Sequence, residues 1–363
     1  MTKILILANH YNTLRIFRRE LICALSKNNE VFIVIPPCDD ENKKILESYG
    51  TKVQFIQMER RGMNPLKDIT LLIRYNSIIK NICPDKVITY TIKCNIYGNL
   101  VCKWRKIQCY ANITGLGSTF QKNGLIRKFV SFLYKISLNK TKKIFFENEG
   151  NRNVLVNDRI VRVDQTIVMP GAGVNLKEFG ECPYPLKNEA IRFLFVGRIM
   201  KEKGVDELFY AIKKIKKKFS NVYFDFIGWY EDDYKAIVEA LQDKGYIRFY
   251  GFQSDVRPFI KKASCIVLPS YHEGMSNTLL EGAAMCRPLI TSNIHGCMEA
   301  VRDGETGYLV EVKNAKSLYE KMLQFIELPY EKKRAMGLNG RNYMKENFDK
   351  EDVVNKTMVE LFR

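Results

Sequence analysis

Residues Ser270 to Gly282 bring two carboxylates, Glu273 and Glu281, together with the small polar residues Ser276, Asn277 and Thr278, directly behind the apolar run Cys265–Pro269. An apolar strand, a polar loop and a helix opening near Ser276 would aim unsatisfied N–H groups and a positive dipole end at a diphosphate. Glu273 in the loop, and Glu281 a little more than one turn into the helix, would accept hydrogen bonds from hydroxyl-rich groups on either side of that diphosphate. A second cluster follows the apolar run Ile191–Val196: Gly197-Arg198, then Lys201, Lys203 and Gly204. Cations in a glycine-flanked loop at a strand's carboxyl end would neutralise a diphosphate leaving group. Taken singly, Ser276 or Asn277 would only cap a helix, Glu281 would be a surface residue and Lys201 or Lys203 a solvated charge. It is their conjunction at two strand ends that points to chemistry.

The elements that must position these residues read as two series. Short apolar runs at Lys3–Ala8, Val31–Pro36, Lys52–Gln57, Lys86–Thr91, Ile107–Ile113, Lys143–Glu147 and Ile167–Met169 alternate with helical patterns. The alternation restarts at Ile191–Val196 and continues through Val222–Ile227, Ile247–Tyr250, Cys265–Pro269, Pro288–Ser292 and Gly307–Val310. Strand–helix alternation implies parallel sheets covered on both faces, so the fold class is α/β with two doubly wound, Rossmann-like domains facing each other across a cleft at the carboxyl ends of their strands. The expected boundaries are 1–175 for the first domain, 176–188 for a linker containing Gly180, Pro183 and Pro185, and 189–345 for the second domain. A charged helix over 346–363 is free to pack back on the first. In that arrangement His10, Lys93 and Asn95 follow strands of the first domain and would face the cleft, as candidate contacts for a second substrate.

The motifs Gly197-Arg198, Lys203-Gly204 and Glu273-x7-Glu281 resemble, in order and spacing, those of retaining GT-B glycosyltransferases, in particular glycosyltransferase family 4. The resemblance implies a nucleotide-sugar donor on the second domain. Arg198 and Lys203 would hold the diphosphate, Glu273 the transferred sugar and Glu281 the ribose. The amides of Gly274, Met275, Ser276, Asn277 and Thr278 would cradle sugar and phosphate, and the loop Gly251-Phe252-Gln253 would frame the base. In the first domain, Tyr90–Gly98 and Ile113–Ser118 resemble segments of bacterial enzymes that extend saccharides on undecaprenyl diphosphate. This implies acceptor contacts at Thr114 and Gly115 and a UDP-linked hexose or N-acetylhexosamine donor, in capsule, O-antigen or lipopolysaccharide synthesis. The chain departs from that pattern in having no histidine near Thr114 and Asn9–Asn12 in place of a glycine-rich first loop. Two other readings follow from the same residues. One is a GT-B enzyme with a soluble acceptor or a nucleotide-sugar epimerase; the other is a non-catalytic basic binder of membrane or nucleic acid.

Charge locates the expected partner surface. The 363 residues carry 58 Lys+Arg and 40 Asp+Glu, a net +18, of which residues 1–180 hold +15. From Gln121 to Lys143 there are Lys122, Arg127, Lys128, Lys135, Lys140, Lys142 and Lys143 and no acid, with Ile126, Phe129, Val130, Leu133 and Ile136 at helical spacing. Such a helix suits an anionic membrane surface, with Arg127, Lys128 and Lys135 in contact and Trp104 a candidate interfacial residue; the plainer alternative is a core-facing helix with a solvated basic side. Nucleic acid is the rival anion, but no reader motif accompanies the charge. With no 20-residue apolar run and no signal-peptide core, the protein is expected to be cytoplasmic and peripheral on the inner face of the membrane. The ten cysteines form no C-x-x-C pair and read as reduced thiols. Three histidines in no metal-binding spacing, and no Asp-x-Asp, lead to an expectation of no metal and no cofactor. The missing Walker, G-x-S-x-G and dinucleotide fingerprints count against kinase, hydrolase and dehydrogenase readings.

Overall fold

A computed structural model describes residues 1–59, 64–117, 120 and 124–363; Ser118 and Lys122 of the segments above lie outside them. The chain forms two compact units, Met1–Ala172 with Glu351–Arg363, and Gly173–Lys350. The first holds strands β1 (Thr2–Leu7), β2 (Asn29–Ile35), β3 (Thr51–Phe55), β4 (Lys86–Tyr90), β5 (Gln108–Ile113), β6 (Lys143–Phe146) and β7 (Thr166–Val168), in the order 3-2-1-4-5-6-7. The second holds β8 (Ile191–Val196), β9 (Val222–Ile227), β10 (Arg248–Phe249), β11 (Cys265–Leu268), β12 (Leu289–Ser292) and β13 (Gly307–Val310), in the order 10-9-8-11-12-13. Every pairing within the two sheets is parallel.

The apolar runs become strands because both of their faces are covered. In β1, Ile4 and Ile6 enter one core layer while Leu5 and Leu7 enter the other, the period-2 alternation of a strand between two helical layers. The helix Val205–Lys216 buries Val205, Leu208, Phe209, Ala211, Ile212 and Ile215 at helical spacing and turns its lysines outward. In each sheet the strand order reverses once, between β1 and β4 and between β8 and β11. Helices leave such a junction on opposite faces, which opens a crevice at the carboxyl ends of the two strands.

One expectation about organisation changes. Residues 176–188 are not a free linker but part of the second unit, because two buried guanidiniums need carbonyl partners that this segment supplies. Arg287, fully buried, donates to the Cys182 and Pro183 carbonyls, and Arg341 to those of Leu176 and Phe179. The C-terminal stretch is two helices, Tyr330–Asn347 and Lys350–Phe362, broken at Phe348, where the amide of Val174 donates to the Phe348 carbonyl and that of Lys350 to the Val174 carbonyl. Val353 and Leu361 of the last helix join the first unit's core, and the Tyr110 hydroxyl donates to the Leu361 carbonyl at 3.0 Å.

Gly204 opens the helix after β8 with φ +69°, and a Cβ there would lie 2.0 Å from the Pro269 carbonyl oxygen. Gly204→Ala is therefore expected to destabilise the second unit by at least about 2 kcal/mol, read as a lowered midpoint in scanning calorimetry; an unchanged midpoint would contradict this packing.

Candidate active site

The loops that follow β8 and β11, the pair flanking the reversal in the second sheet, carry both sequence clusters. Lys203 ends a short turn, Lys201–Lys203, and its ammonium forms an ion pair with the Glu273 carboxylate. The Ser270 hydroxyl donates to the same carboxylate oxygen at 2.8 Å, and the two charged side chains are only 17% and 14% exposed. Lys201 is exposed, which separates the two lysines: Lys203 belongs to the site and Lys201 is a solvated charge. Arg198 lies 3.7 Å from Glu231, whose carboxylate also accepts from the Trp229 indole at 3.3 Å. Gly197 is pressed against the next loop: a Cβ on Gly228 would fall 1.8 Å from the Gly197 carbonyl oxygen.

The helix Asn277–Ala284 begins at this edge, with Ser276 as its N-cap and no side-chain capping bond. One amide of the expected cradle is spoken for: that of Ser276 donates to the Gly296 carbonyl at 2.9 Å. The Met275 side chain is buried in the core and the Thr278 hydroxyl donates to the Val196 carbonyl at 3.4 Å, and neither contact uses the backbone amide. Asn277 is half-buried at the first position of the helix, and Gly274 lies against Gly296. Phe252 is exposed after β10 and meets Trp229 edge to face, with centroids 5.8 Å apart, whereas Gln253 turns back to donate to the Tyr250 carbonyl.

In the first unit, His10, Lys93 and Thr114 follow the carboxyl ends of the neighbouring strands β1, β4 and β5. His10 is a helix cap: its Nδ1 accepts from the Asn12 amide at 3.1 Å, and its ring stacks on Tyr11. Asn95 is not an acceptor contact. It is buried, accepts from the Thr89 hydroxyl and donates to the Asn112 carbonyl, because a polar side chain inside the unit must be satisfied there. Lys93 pairs with Asp68 at 2.8 Å, both side chains largely shielded, and Thr114 and Gly115 are half-buried just beyond β5. Of the basic residues expected at a membrane, Lys128 and Lys135 are exposed, but Arg127 is bound to Asp158 at 2.8 Å.

Family comparison gives this geometry its context. A model described as "Glycosyl transferases group 1" matches residues 183–343, and one described as "Glycosyl transferase 4-like" matches residues 3–148. The chain belongs to these glycosyltransferases. It is 28% identical over 332 residues to the N,N'-diacetylbacillosaminyl-diphospho-undecaprenol alpha-1,3-N-acetylgalactosaminyltransferase of Campylobacter jejuni, covering 86% of each chain. It is 25% identical to the capsular polysaccharide biosynthesis glycosyltransferase CapM of Staphylococcus aureus, covering 95% of this chain and 93% of CapM. A crystal structure of Anabaena HepE with UDP and glucose superposes with a TM-score of 0.81 at 14% identity, over 99% of both chains, which establishes the GT-B fold.

Sequence reasoning missed several residues of the glycosyltransferase. Asp68 lies 25 positions before Lys93 and nothing local links the two; Trp229 and Glu231 are brought to Phe252 and Arg198 only by the strand order. His272, next to Glu273, has its Nδ1 buried without a hydrogen-bond partner among the described residues, and burial lowers its pKa. Glu281, a residue the sequence did single out, is half-buried: desolvation first, and then Glu178, push its carboxyl up to about 8 against the opposing pull of Lys350.

A carboxyl raised in the folded state holds a proton that the unfolded chain releases near the ordinary glutamate value, so its contribution to stability is present below that value and is lost as pH rises through about 8. Glu281→Gln is expected to remove that loss. Thermal midpoints of wild type and variant should stay close at pH 5 and separate by about 3 °C or more in the variant's favour by pH 9; parallel curves would show that Glu281 is solvated.

Proposed function

We propose that this glycosyltransferase moves a hexosyl or N-acetylhexosaminyl group from a UDP-sugar to a saccharide on undecaprenyl diphosphate, with retention of configuration and without a metal, in the synthesis of a bacterial surface glycan such as capsule or O-antigen. The observation that carries the reading is the shielded Lys203–Glu273 pair just before a helix whose N-cap, Ser276, makes no side-chain capping bond among the described residues, beside Arg198, at the strand-order reversal of the second sheet. Cations and a helix terminus are what a departing diphosphate requires, and a carboxylate oriented by Ser270 and Lys203 is what a sugar hydroxyl requires. The relatives' names support the acceptor and the pathway, and the UDP bound to Anabaena HepE supports the donor base.

The step this arrangement suits is front-face displacement. The bond from the sugar C1 to the diphosphate oxygen breaks, the acceptor oxygen bonds to C1 from the same face, and the acceptor proton passes to the departing phosphate oxygen. Arg198, Lys203 and the helix start stabilise the charge left on UDP, the role a metal ion would otherwise fill. Glu273 holds the sugar and Glu281 the ribose. Lys93, Thr114 and Gly115 lie on the acceptor side. The enzyme works from the cytoplasmic membrane surface, where its lipid-linked acceptor is found, with Lys128 and Lys135 toward the lipid headgroups.

Transfer from an α-linked UDP-sugar to lipid-linked N-acetylglucosamine in EDTA is expected to yield an α-linked product, identified by the anomeric proton coupling, at the same rate as with magnesium; Lys203→Ala should lower kcat by about 100-fold or more. A β-linked product or abolition by EDTA would overturn the proposed step.

A further inference from the structure

We propose that Asp68, Lys93 and Tyr97 form the subsite that holds the outermost sugar of the acceptor, with the Asp68 carboxylate accepting hydrogen bonds from its hydroxyl groups and the Lys93 ammonium donating to them. The inference rests on the reading of a lipid-linked saccharide acceptor, and adds that this cluster recognises the sugar and not the diphosphate. The three residues come from two elements. Asp68 lies in the first turn of the helix Pro65–Ile82, which follows β3, whereas Lys93 and Tyr97 lie just beyond β4, a strand that flanks the reversal in the first sheet. The Lys93 ammonium donates to the Asp68 carboxylate at 2.8 Å, and the two side chains are 15% and 13% exposed, shielded yet within reach of a ligand. Tyr97 packs its ring against the apolar core. Burial first, and then Asp68, push the pKa of its hydroxyl up, so the phenol stays protonated and able to donate.

The backbone that sets Lys93 and Tyr97 is held in costly conformations. Thr91, directly after β4, has φ +73°, and among the described non-glycine residues with positive φ it alone is β-branched. The chain then winds into a single π-helical turn, Cys94–Gly98, a rare form found frequently at functional sites. Both features are fixed from the core side. The Asn95 amide donates to the Thr91 carbonyl at 2.8 Å, the Thr91 hydroxyl donates to the Cys94 sulfur at 3.7 Å, and the buried Asn95 side chain is tied to Thr89 and Asn112. Strain of this kind persists only where the surrounding structure enforces it, and it clusters at binding and catalytic sites. The chemistry of the cluster indicates the occupant. Asp68 cancels the charge of Lys93, so the pair offers a diphosphate no net attraction. A carboxylate that only accepts, an ammonium that only donates and a protonated phenol match instead the neighbouring hydroxyls of a neutral sugar, each of which both donates and accepts. A ligand without those hydroxyls leaves the shielded carboxylate less satisfied, which makes the cluster selective.

The test is titration of the full chain in detergent with two lipids, undecaprenyl diphosphate carrying N-acetylglucosamine and bare undecaprenyl diphosphate. Wild type is compared with the double variant D68N/K93M, which strands neither charge, and with Tyr97→Phe, which removes one hydroxyl. Wild type should bind the sugar-bearing lipid at least about tenfold more tightly than the bare one, the worth of one charge-assisted hydrogen bond. The double variant should lose that preference while binding the bare lipid and UDP as wild type does, and Tyr97→Phe should keep part of it. A wild type that binds the two lipids alike, or a folded double variant that keeps the preference, would overturn the proposal. Equal loss of both lipids in the double variant would also overturn it, by showing that the pair meets the diphosphate or only shapes the unit. Binding of neither lipid by wild type would defeat the acceptor reading on which the subsite rests, whereas UDP affinity, measured on the same protein, reports on the donor site separately.

Discussion

The candidate site depends on backbone meeting backbone. At the carboxyl edge of the second sheet, Gly204 lies against the Pro269 carbonyl, Gly228 against that of Gly197, and Gly296 against the Gly274 carbonyl and the Glu273 side chain. A Cβ at any of the three would fall within 2.5 Å of a carbonyl oxygen, and each glycine has a positive φ that other residues rarely adopt. Because no side chains intervene, the loops after β8, β9, β11 and β12 close on one another. That closure carries Lys203 to Glu273 and sets the Gly296 carbonyl on the Ser276 amide. Loops this tightly joined hold charged groups in place without relying on the groups' own attraction.

Both units use shielded charge at the corresponding edge. Lys203 with Glu273 in the second unit, and Lys93 with Asp68 in the first, are lysine–carboxylate pairs largely removed from water. Such a pair contributes little net stability, because desolvation offsets the attraction, yet removing one partner strands the other at a cost of about 3–5 kcal/mol. An anionic ligand can take over a lysine's charge, and hydroxyl groups can take over a carboxylate's acceptor capacity, without leaving a bare charge behind.

Much of this architecture was legible because parallel strands covered on both faces read as continuous apolar runs. β10 came out shorter than Ile247–Tyr250 because it is an edge strand, paired only with β9. The motifs after β8 and β11 were legible because their residue types sit next to strand ends in the sequence itself. What was hidden depended on distant partners. Asn95 faces inward because Asn112 and Thr89 satisfy it, His10 is used as a cap by the amide two residues on, and the 176–188 segment is held by Arg287 and Arg341. Gly180, Pro183 and Pro185 look like linker residues, and only the tertiary structure reveals the guanidiniums beneath them. The partial burial of Glu281 was equally invisible, since an acidic residue one turn into a helix is more often solvated.

The central claim is that the loops at the reversal of the second sheet form a nucleoside diphosphate site in which Lys203 meets the phosphates. Calorimetric titration of wild type and Lys203→Ala with UDP and with GDP tests it most directly. The account predicts micromolar binding of UDP in preference to GDP, weakened at least about tenfold in the variant, the worth of one charge-assisted contact. Equal affinity of wild type and a folded Lys203→Ala variant for UDP, or binding of neither nucleotide, would contradict it.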